Sequence, residues 1–401
     1  MNADVTSSAH SQRDVVTTAS LGLLALVTIG PLLLEPQPVD FLPAYSTTLG
    51  TVLSMAGVLL LMAGLLTVRA ELDQPSEPHA GRNIILFGVL AGLMTLLHWI
   101  VVDSRSPADW EPKTYWEILN HTAEAPHNYR PLPYGFAQLV ERITHNWAFA
   151  CVSYRWFFTF WFLWVSYRLA RRYLNPNRAL LTLVPLVLLY PVSILHYWGQ
   201  LTDPLSHALF VLAFLYLLED RPVALAVALA LGVAAKETVV IVAPAYLACY
   251  WRRGWRSWFI TAGLGAACVA AFLATRVPLG WRPGSYDKIN GTTGLMIGTN
   301  LGFGEPIANL VPSLLENYLH PIVFVGLFIP LIVWRWRFID PHLRALFLVV
   351  TPLLLLSNVC FGWLYESRNY MPLVPLLATM ALPPSGAGTQ SEGKERHIVG
   401  T

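Results

Sequence analysis

A dozen apolar runs dominate this chain, each long enough, or nearly so, to cross a bilayer. They lie at about 15–34, 46–68, 83–102, 147–167, 179–197, 204–219, 222–235, 238–251, 257–275, 317–334, 345–360 and 369–384. About 20 apolar residues in helical form match the thickness of a hydrocarbon core. The pattern predicts an all-α fold, a polytopic transmembrane helical bundle of about 11–12 spans. Composition agrees. Of 401 residues, 55% are hydrophobic and 12% charged, with a mean hydropathy of +0.50, against about 25% charged in a soluble domain. A formal net charge of +2 gives no reason to expect a nucleic-acid partner.

Cys151, Cys249, Cys268 and Cys360 all sit inside apolar runs and lack the paired spacing of a metal site or a loop disulfide. They read as small buried hydrophobes. The first apolar run follows Arg13 and has no small-residue cleavage signature after it, so it reads as an uncleaved anchor. Three regions follow: a tail with two additional spans over 1–82, a membrane domain over 83–384, and a Gly/Ser-rich charged tail over 385–401 that reads as disordered.

Lys and Arg in short loops mark the cytoplasmic side. The segments RLARRYLNPNR (168–178), RRGWR (252–256) and RWRFIDPHLR (335–344) are strongly basic. Placing them inside puts both termini inside and leaves 103–146, 197–203, 236–237, 276–313 and 361–368 outside. Of the 26 Lys and Arg residues, 16 then lie inside, nine outside, and Arg155 within a span. This threading requires the short runs 222–235 and 238–251 to cross separately, although each spans only about 21 Å as a helix. As one long helix, they would reverse every later assignment.

The longest polar interruption, 103–146, is too aromatic for a bland connector. Between Asp103 and Trp147 it carries six carboxylates, Asp103, Asp109, Glu111, Glu117, Glu124 and Glu141, and three histidines, His121, His127 and His145. Loops longer than about 12–15 residues are usually functional or disordered. Asp109-Trp110-Glu111, followed by Thr114 to Leu119, reads as a short helix at the membrane interface, where its acids serve either chemistry or helix capping. Three prolines around Arg130 (APHNYRPLPY, 125–134) hold a planar bidentate donor in place. That suits phosphate or carboxylate recognition, or pairing with a loop carboxylate.

Other polar residues converge on the same side. Asp203 before Pro204 reads as an N-cap or a site residue, with Gln200 nearby and His207 one turn on. A metal site from Asp203, His207 and His196 is one reading. Lys236-Glu237 breaks an apolar segment, either as a salt-bridged turn or as a helix break aimed at an anion. Glu366 and Arg368, two apart, do not share a helical face, so they are expected to serve different partners. Asp287 and Glu305 lie on this side as well. Ionisable groups beside spans are functional suspects by default.

Read together, the chain resembles a known family. An acidic residue with Tyr115 on a short helix, APHNYRPLPY, DPLSHALFVLAFLYL (203–217), LGVAAKETVVIVAPAYL (231–247) and YESRNYMPLVPLL (365–377) occur in order. Over about 83–384 they resemble the bacterial polytopic glycosyltransferases of the GT-C superfamily. The resemblance implies a GT-C-like fold in a bacterial inner membrane and transfer of a sugar from a polyprenyl-phosphate donor to a lipid or glycan acceptor outside the cytoplasm. It further implies a catalytic acid in the first large loop, here Asp109, Glu111 or Asp103. Lys236, Arg130 and Arg368 would then approach the donor phosphate. Tyr115, Tyr134, Gln200, Asp203, Glu237 and Glu366 complete the candidate substrate site, which names no metal ligand. Two departures stand out. The loop has Asp109-Trp110-Glu111 in place of a clean DxD, which leaves use of a divalent cation open, and two spans precede residue 83. A non-catalytic subunit of envelope biogenesis and a transporter are the alternatives.

Topology is directly testable. An impermeant thiol reagent added from outside should modify a cysteine introduced within 103–146 and spare Arg171→Cys. The reverse labelling would invert the assigned sides.

Overall fold

The computed structural model describes residues 80–99, 102, 117, 129–194, 201–281, 301 and 318–382. The first two apolar runs, both tails, and Asp103, Asp109, Glu111, Tyr115, His196, Gln200, Asp287 and Glu305 lie outside the described residues.

Among the described residues all regular structure is helical, with no strand. Five helical stretches are long and apolar enough to cross a membrane: Trp147–Arg171, Pro176–Ser193, Trp255–Leu279, Tyr318–Phe338 and Pro341–Phe361. Three shorter apolar helices, Asn83–His98, Thr202–Leu218 and Pro222–Ala235, pack among them. This is a membrane-embedded helical protein. In chain order the helices are α1 (Ala80–His98), α2 (Pro131–Thr144), α3 (Trp147–Arg171), α4 (Pro176–Leu181), α5 (Leu183–Ser193), α6 (Thr202–Leu218), α7 (Pro222–Ala235), α8 (Ala243–Tyr250), α9 (Trp255–Arg276), α10 (Ile329–Arg335), α11 (Pro341–Phe361) and α12 (Val374–Ala381).

Local chemistry sets the helix ends. Asn146 caps α3 by accepting from the Phe149 amide at 3.0 Å. Asn175 does the same for Arg178 ahead of Pro176 at the first position of α4. Asp340 accepts from His342 and Leu343 ahead of Pro341 in α11. All three use a short polar acceptor, and the last two add a proline that needs no amide partner. Gly254, at φ +63°, opens α9 in a conformation that a side chain would strain.

Helix α6 is the centre of the bundle. Its buried residues run from Thr202 to Leu218 on all sides, as expected of a helix apolar all round. Helix α9 is the opposite case. It buries only Ser257, Leu264, Cys268 and Arg276 and exposes Trp258, Phe259, Val269 and Leu273. Exposed Trp251, Trp255 and Trp258 cluster beside Arg252, Arg253 and Arg256, the pairing of aromatics and cations that marks a headgroup layer.

The break predicted at Lys236-Glu237 is present, and it is a reversal. Lys236 is extended (φ −158°, ψ 123°) and ends α7, and a 3-10 segment over Glu237–Val242 leads into α8. At one end of the bundle Lys236 meets Asp203, at the start of α6. At the other end Tyr250 Oη donates to the Leu217 carbonyl and Tyr246 Oη to Asp220, while Arg253 pairs with Asp220 at 2.7 Å. The segments 222–235 and 237–250 therefore run antiparallel, and α9 returns to bring Arg276 against Glu237. The basic segments 168–178, 252–256 and 335–344 thereby share one end of the bundle. Arg130, Asp203, Lys236, Glu237, Arg276, Glu366 and Arg368 share the other. Arg155, in α3, is 2% exposed inside the bundle, away from lipid.

The N-cap reading of Asp203 is corrected. Leu201 occupies the cap position, and no side chain caps the helix. Asp203 is already inside the first turn, where its carboxylate turns sideways to cations on other elements.

The reversal depends on a close approach. A Cβ on Gly232 would lie 2.6 Å from Val239 Cγ1. Gly232→Ala should therefore destabilise the protein by about 1–3 kcal/mol despite alanine's better helix propensity. Adding Val239→Ala should restore much of it in thermal unfolding. Gly135→Ala, where nothing lies within 4 Å, should be neutral or better.

Candidate functional site

The site is assembled at the ends of α6, α7, α9 and α11 and in the 3-10 segment Ser367–Leu373. Its central carboxylate is Asp203, 3% exposed. Lys236 Nζ donates to Asp203 Oδ1 at 2.8 Å and to Asn369 Oδ1 at 2.8 Å. Asn369 Nδ2 donates in turn to Asn358 Oδ1 at 2.9 Å and to Glu366 Oε2 at 3.1 Å. Arg368 Nη2 donates to Glu366 Oε1 at 2.8 Å, and its Nε lies 3.6 Å from Asp203 Oδ2. Beside this layer Arg130 makes a two-point contact with Glu237, one arm at 3.1 Å from Nε to Oε2. Arg276, fully buried, donates to Glu237 Oε2 at 3.1 Å and to the Val233 carbonyl at 3.2 Å. Its guanidinium also lies 4.2 Å from the centre of the Phe272 ring, a cation–π contact.

Local sequence explains each placement. Pro131 at the first position of α2 leaves Arg130 just outside the helix, at φ −120° and ψ 58°. Its fork thus sits at the helix start, where a planar bidentate donor matches a carboxylate. The extended backbone at Lys236 turns Lys236 and the next residue, Glu237, to different partners. They do not pair with each other, which overturns the salt-bridged-turn reading. Glu366 and Arg368 do pair with each other, contrary to expectation. The rule about helical faces fails because Glu366 (φ −72°, ψ 75°) precedes the 3-10 turn and is not helical. Arg130 also has its carboxylate, but that partner is Glu237 at the break.

Tyr134 is 2% exposed and packs in an apolar cluster with Cys151, Tyr154 and Leu205. Asp203 and His207 lie on the same side of α6 and line one cavity. Among the described residues no group of three His, Cys, Asp or Glu side chains is placed to hold a metal. Three network members were not singled out from sequence: Asn358, Asn369 and Arg276. Each left a signal, since an amide inside or at the edge of an apolar run, or an arginine closing one, is expensive without a partner.

Glu237 lies outside the apolar helices on either side of it. Burial favours its protonated form, but the Arg130 charge, the Arg130 hydrogen bonds and the Arg276 charge outweigh that and hold its carboxyl at about 2. The two guanidiniums thus keep this one partly exposed carboxylate ionised. The network presents guanidinium and ammonium donors whose present acceptors are carboxylates, the same geometry that a phosphate oxygen would use. No protein-family model, curated protein or solved structure matches the chain.

Two outcomes follow. Arg276→Leu should destabilise the protein by about 2–4 kcal/mol, because it removes a buried charge partner of Glu237. Because Glu237's carboxyl is depressed from 4.5 to about 2, its stabilising contribution is complete above about pH 4.5 and is lost as pH falls towards 2. Thermal unfolding of Glu237→Gln should lack this part of the acid dependence. An unchanged acid limb would remove the triad's electrostatic role.

Proposed function

We propose that the chain is a membrane glycosyltransferase that moves a sugar from a polyprenyl-phosphate-linked donor to an extracytoplasmic lipid or glycan acceptor. The observation that carries this reading is the convergence of Arg130, Lys236, Arg276 and Arg368 with three carboxylates at the bundle end away from the basic segments. The acid-rich 103–128 segment leads directly into it. Glycosyl transfer needs cations where negative charge builds on the departing phosphate, and a carboxylate to take the acceptor's proton. A donor phosphate would meet Arg130, Lys236 and Arg368 by exchanging places with Glu237 or Asp203, which keeps each cation paired. Apolar helices beside the network would accommodate the polyprenyl tail. Asp109 and Glu111, ahead of Asp103, are the proposed proton acceptors. Asp103 directly ends an apolar run, where a plain boundary residue suffices. A divalent cation remains compatible with the reading.

One observation favours the second reading, a non-catalytic subunit or scaffold: both Arg130 and Lys236 are already bonded to carboxylates. Turnover separates the two. Purified protein in nanodiscs, offered a panel of polyprenyl-phosphate sugars, should transfer at least one of them. Asp109→Asn or Glu111→Gln should lower the rate by about 10²–10⁴ with donor binding retained. No turnover on any donor, or full activity in Asp109→Asn, Glu111→Gln and Asp103→Asn alike, would remove the transferase reading of this loop.

A further inference from the structure

Asp203 has two sides. Its Oδ1 belongs to the Lys236 contact, whereas Oδ2 is buried and accepts no hydrogen bond from the protein, with Arg368 Nε 3.6 Å away. Asp203 also lines a cavity together with His207, His98, Thr159, Tyr190 and Arg368. The elements around it are α1, α3, α5, α6 and the 3-10 segment carrying Arg368.

His207 is the cavity's second polar group of this kind. It is 9% exposed, and its Nε2 is buried with no hydrogen-bond partner in the protein. Its ring packs 5.6 Å from the Phe162 ring. A neutral imidazole carries one donor and one acceptor nitrogen, and a hydroxyl, which both donates and accepts, can meet Nε2 in either tautomer. Asp203 Oδ2, held only by the longer Arg368 ion pair, and His207 Nε2 therefore line one cavity without a hydrogen bond from the protein. Leaving buried polar atoms without hydrogen bonds is expensive, and a hydroxyl supplies both the donor that the carboxylate needs and a partner for the imidazole nitrogen.

Size narrows the choice. The space open to the centres of water-sized groups is about 30 Å³, and one water needs roughly 10–15 Å³ by this measure. Two hydroxyl-sized groups fit, and a whole sugar ring does not. Met94, Phe162 and Met371 supply apolar wall against which the carbon face of a ring edge can rest.

We propose that this cavity is a hydroxyl-binding site that takes two neighbouring hydroxyls on one edge of a sugar or polyol headgroup, with Asp203 Oδ2 and His207 Nε2 as their hydrogen-bond partners. The inference deepens the transferase reading and rests on it for the expectation that the headgroup is a sugar. The rest of the ring would lie towards the charged network, on the Oδ1 side of the same aspartate. Asp203 would thus hold the headgroup and the phosphate-side lysine in one register.

The test is calorimetric titration of the full chain in nanodiscs, with empty nanodiscs as blank. Octyl β-D-glucoside below its micelle concentration is the probe, and octanol and free glucose are the comparisons. The glucoside should bind saturably and octanol should not. His207→Leu should weaken glucoside binding at least tenfold. Thr159→Leu, which fills the cavity and leaves His207 in place, should do the same if His207→Leu fails to fold. Glucose binding as well as the glucoside would assign the site to a free sugar, and glucose binding much more weakly would assign it to a lipid-linked one. Absence of saturable glucoside binding, or unchanged affinity in both variants, overturns the site. If binding is absent while the wild type still turns over a polyprenyl-phosphate sugar, the site fails and the transferase reading stands. If binding survives and no donor is turned over, the converse holds.

Discussion

A lysine and an aspartate buried together inside an apolar bundle are costly to desolvate, and the arrangement holds only if geometry and further hydrogen bonds offset that cost. Here the offset is visible atom by atom. Lys236 Nζ is shared between Asp203 and Asn369, Asn369 is held by Asn358 and Glu366, and Arg368 closes the ring from the other side. The pair ties the start of α6 to the end of α7, 33 residues later in the chain. Because α6 is the central helix, this contact sets where the chain reverses and which helix ends face each other. The Arg130–Glu237–Arg276 triad performs the same task for α2, the break and α9.

The reversal decides the distribution of charge. Had α7 and α8 formed one helix, the later basic segments would have fallen at the same end as the Lys236 network. With the reversal, Arg252, Arg253 and Arg256 stand exposed beside tryptophans at one end, and Arg130, Lys236, Arg276 and Arg368 at the other are buried and matched to carboxylates. The first arrangement is what a headgroup layer selects. The second is what a binding site for an anion, or a rigid structural joint, requires.

Much of the fold was legible in the sequence because the physics is local. Apolar run lengths marked the helices, and the lone charged pair at 236–237 marked the break. What was not legible depended on backbone geometry. Glu366 and Arg368 pair because the chain there is not α-helical, which a helical-wheel argument cannot foresee. Asp203 looked like a cap because Pro204 follows it, yet the helix had already begun at Thr202. Arg130 pointed correctly to an anionic partner, but periodicity gives no means of selecting Glu237 from the many carboxylates in the chain. The polar amides Asn358 and Asn369 were visible as odd residues in apolar surroundings and gained meaning only when placed beside Lys236. The acids Asp103, Asp109 and Glu111 lie outside the described residues, so their roles rest on sequence and resemblance.

The Asp203–Lys236 contact is the energetic link between α6 and the break. A double-mutant cycle of Asp203→Ala and Lys236→Ala, read by unfolding free energy in mixed micelles, measures it directly. Each single variant should lose about 3–5 kcal/mol, because each leaves an uncompensated buried charge. The double variant should lose well under their sum, with a coupling of about 2 kcal/mol or more. Additive losses, or single variants as stable as the wild type, would contradict the claim that this pair holds the reversal in place.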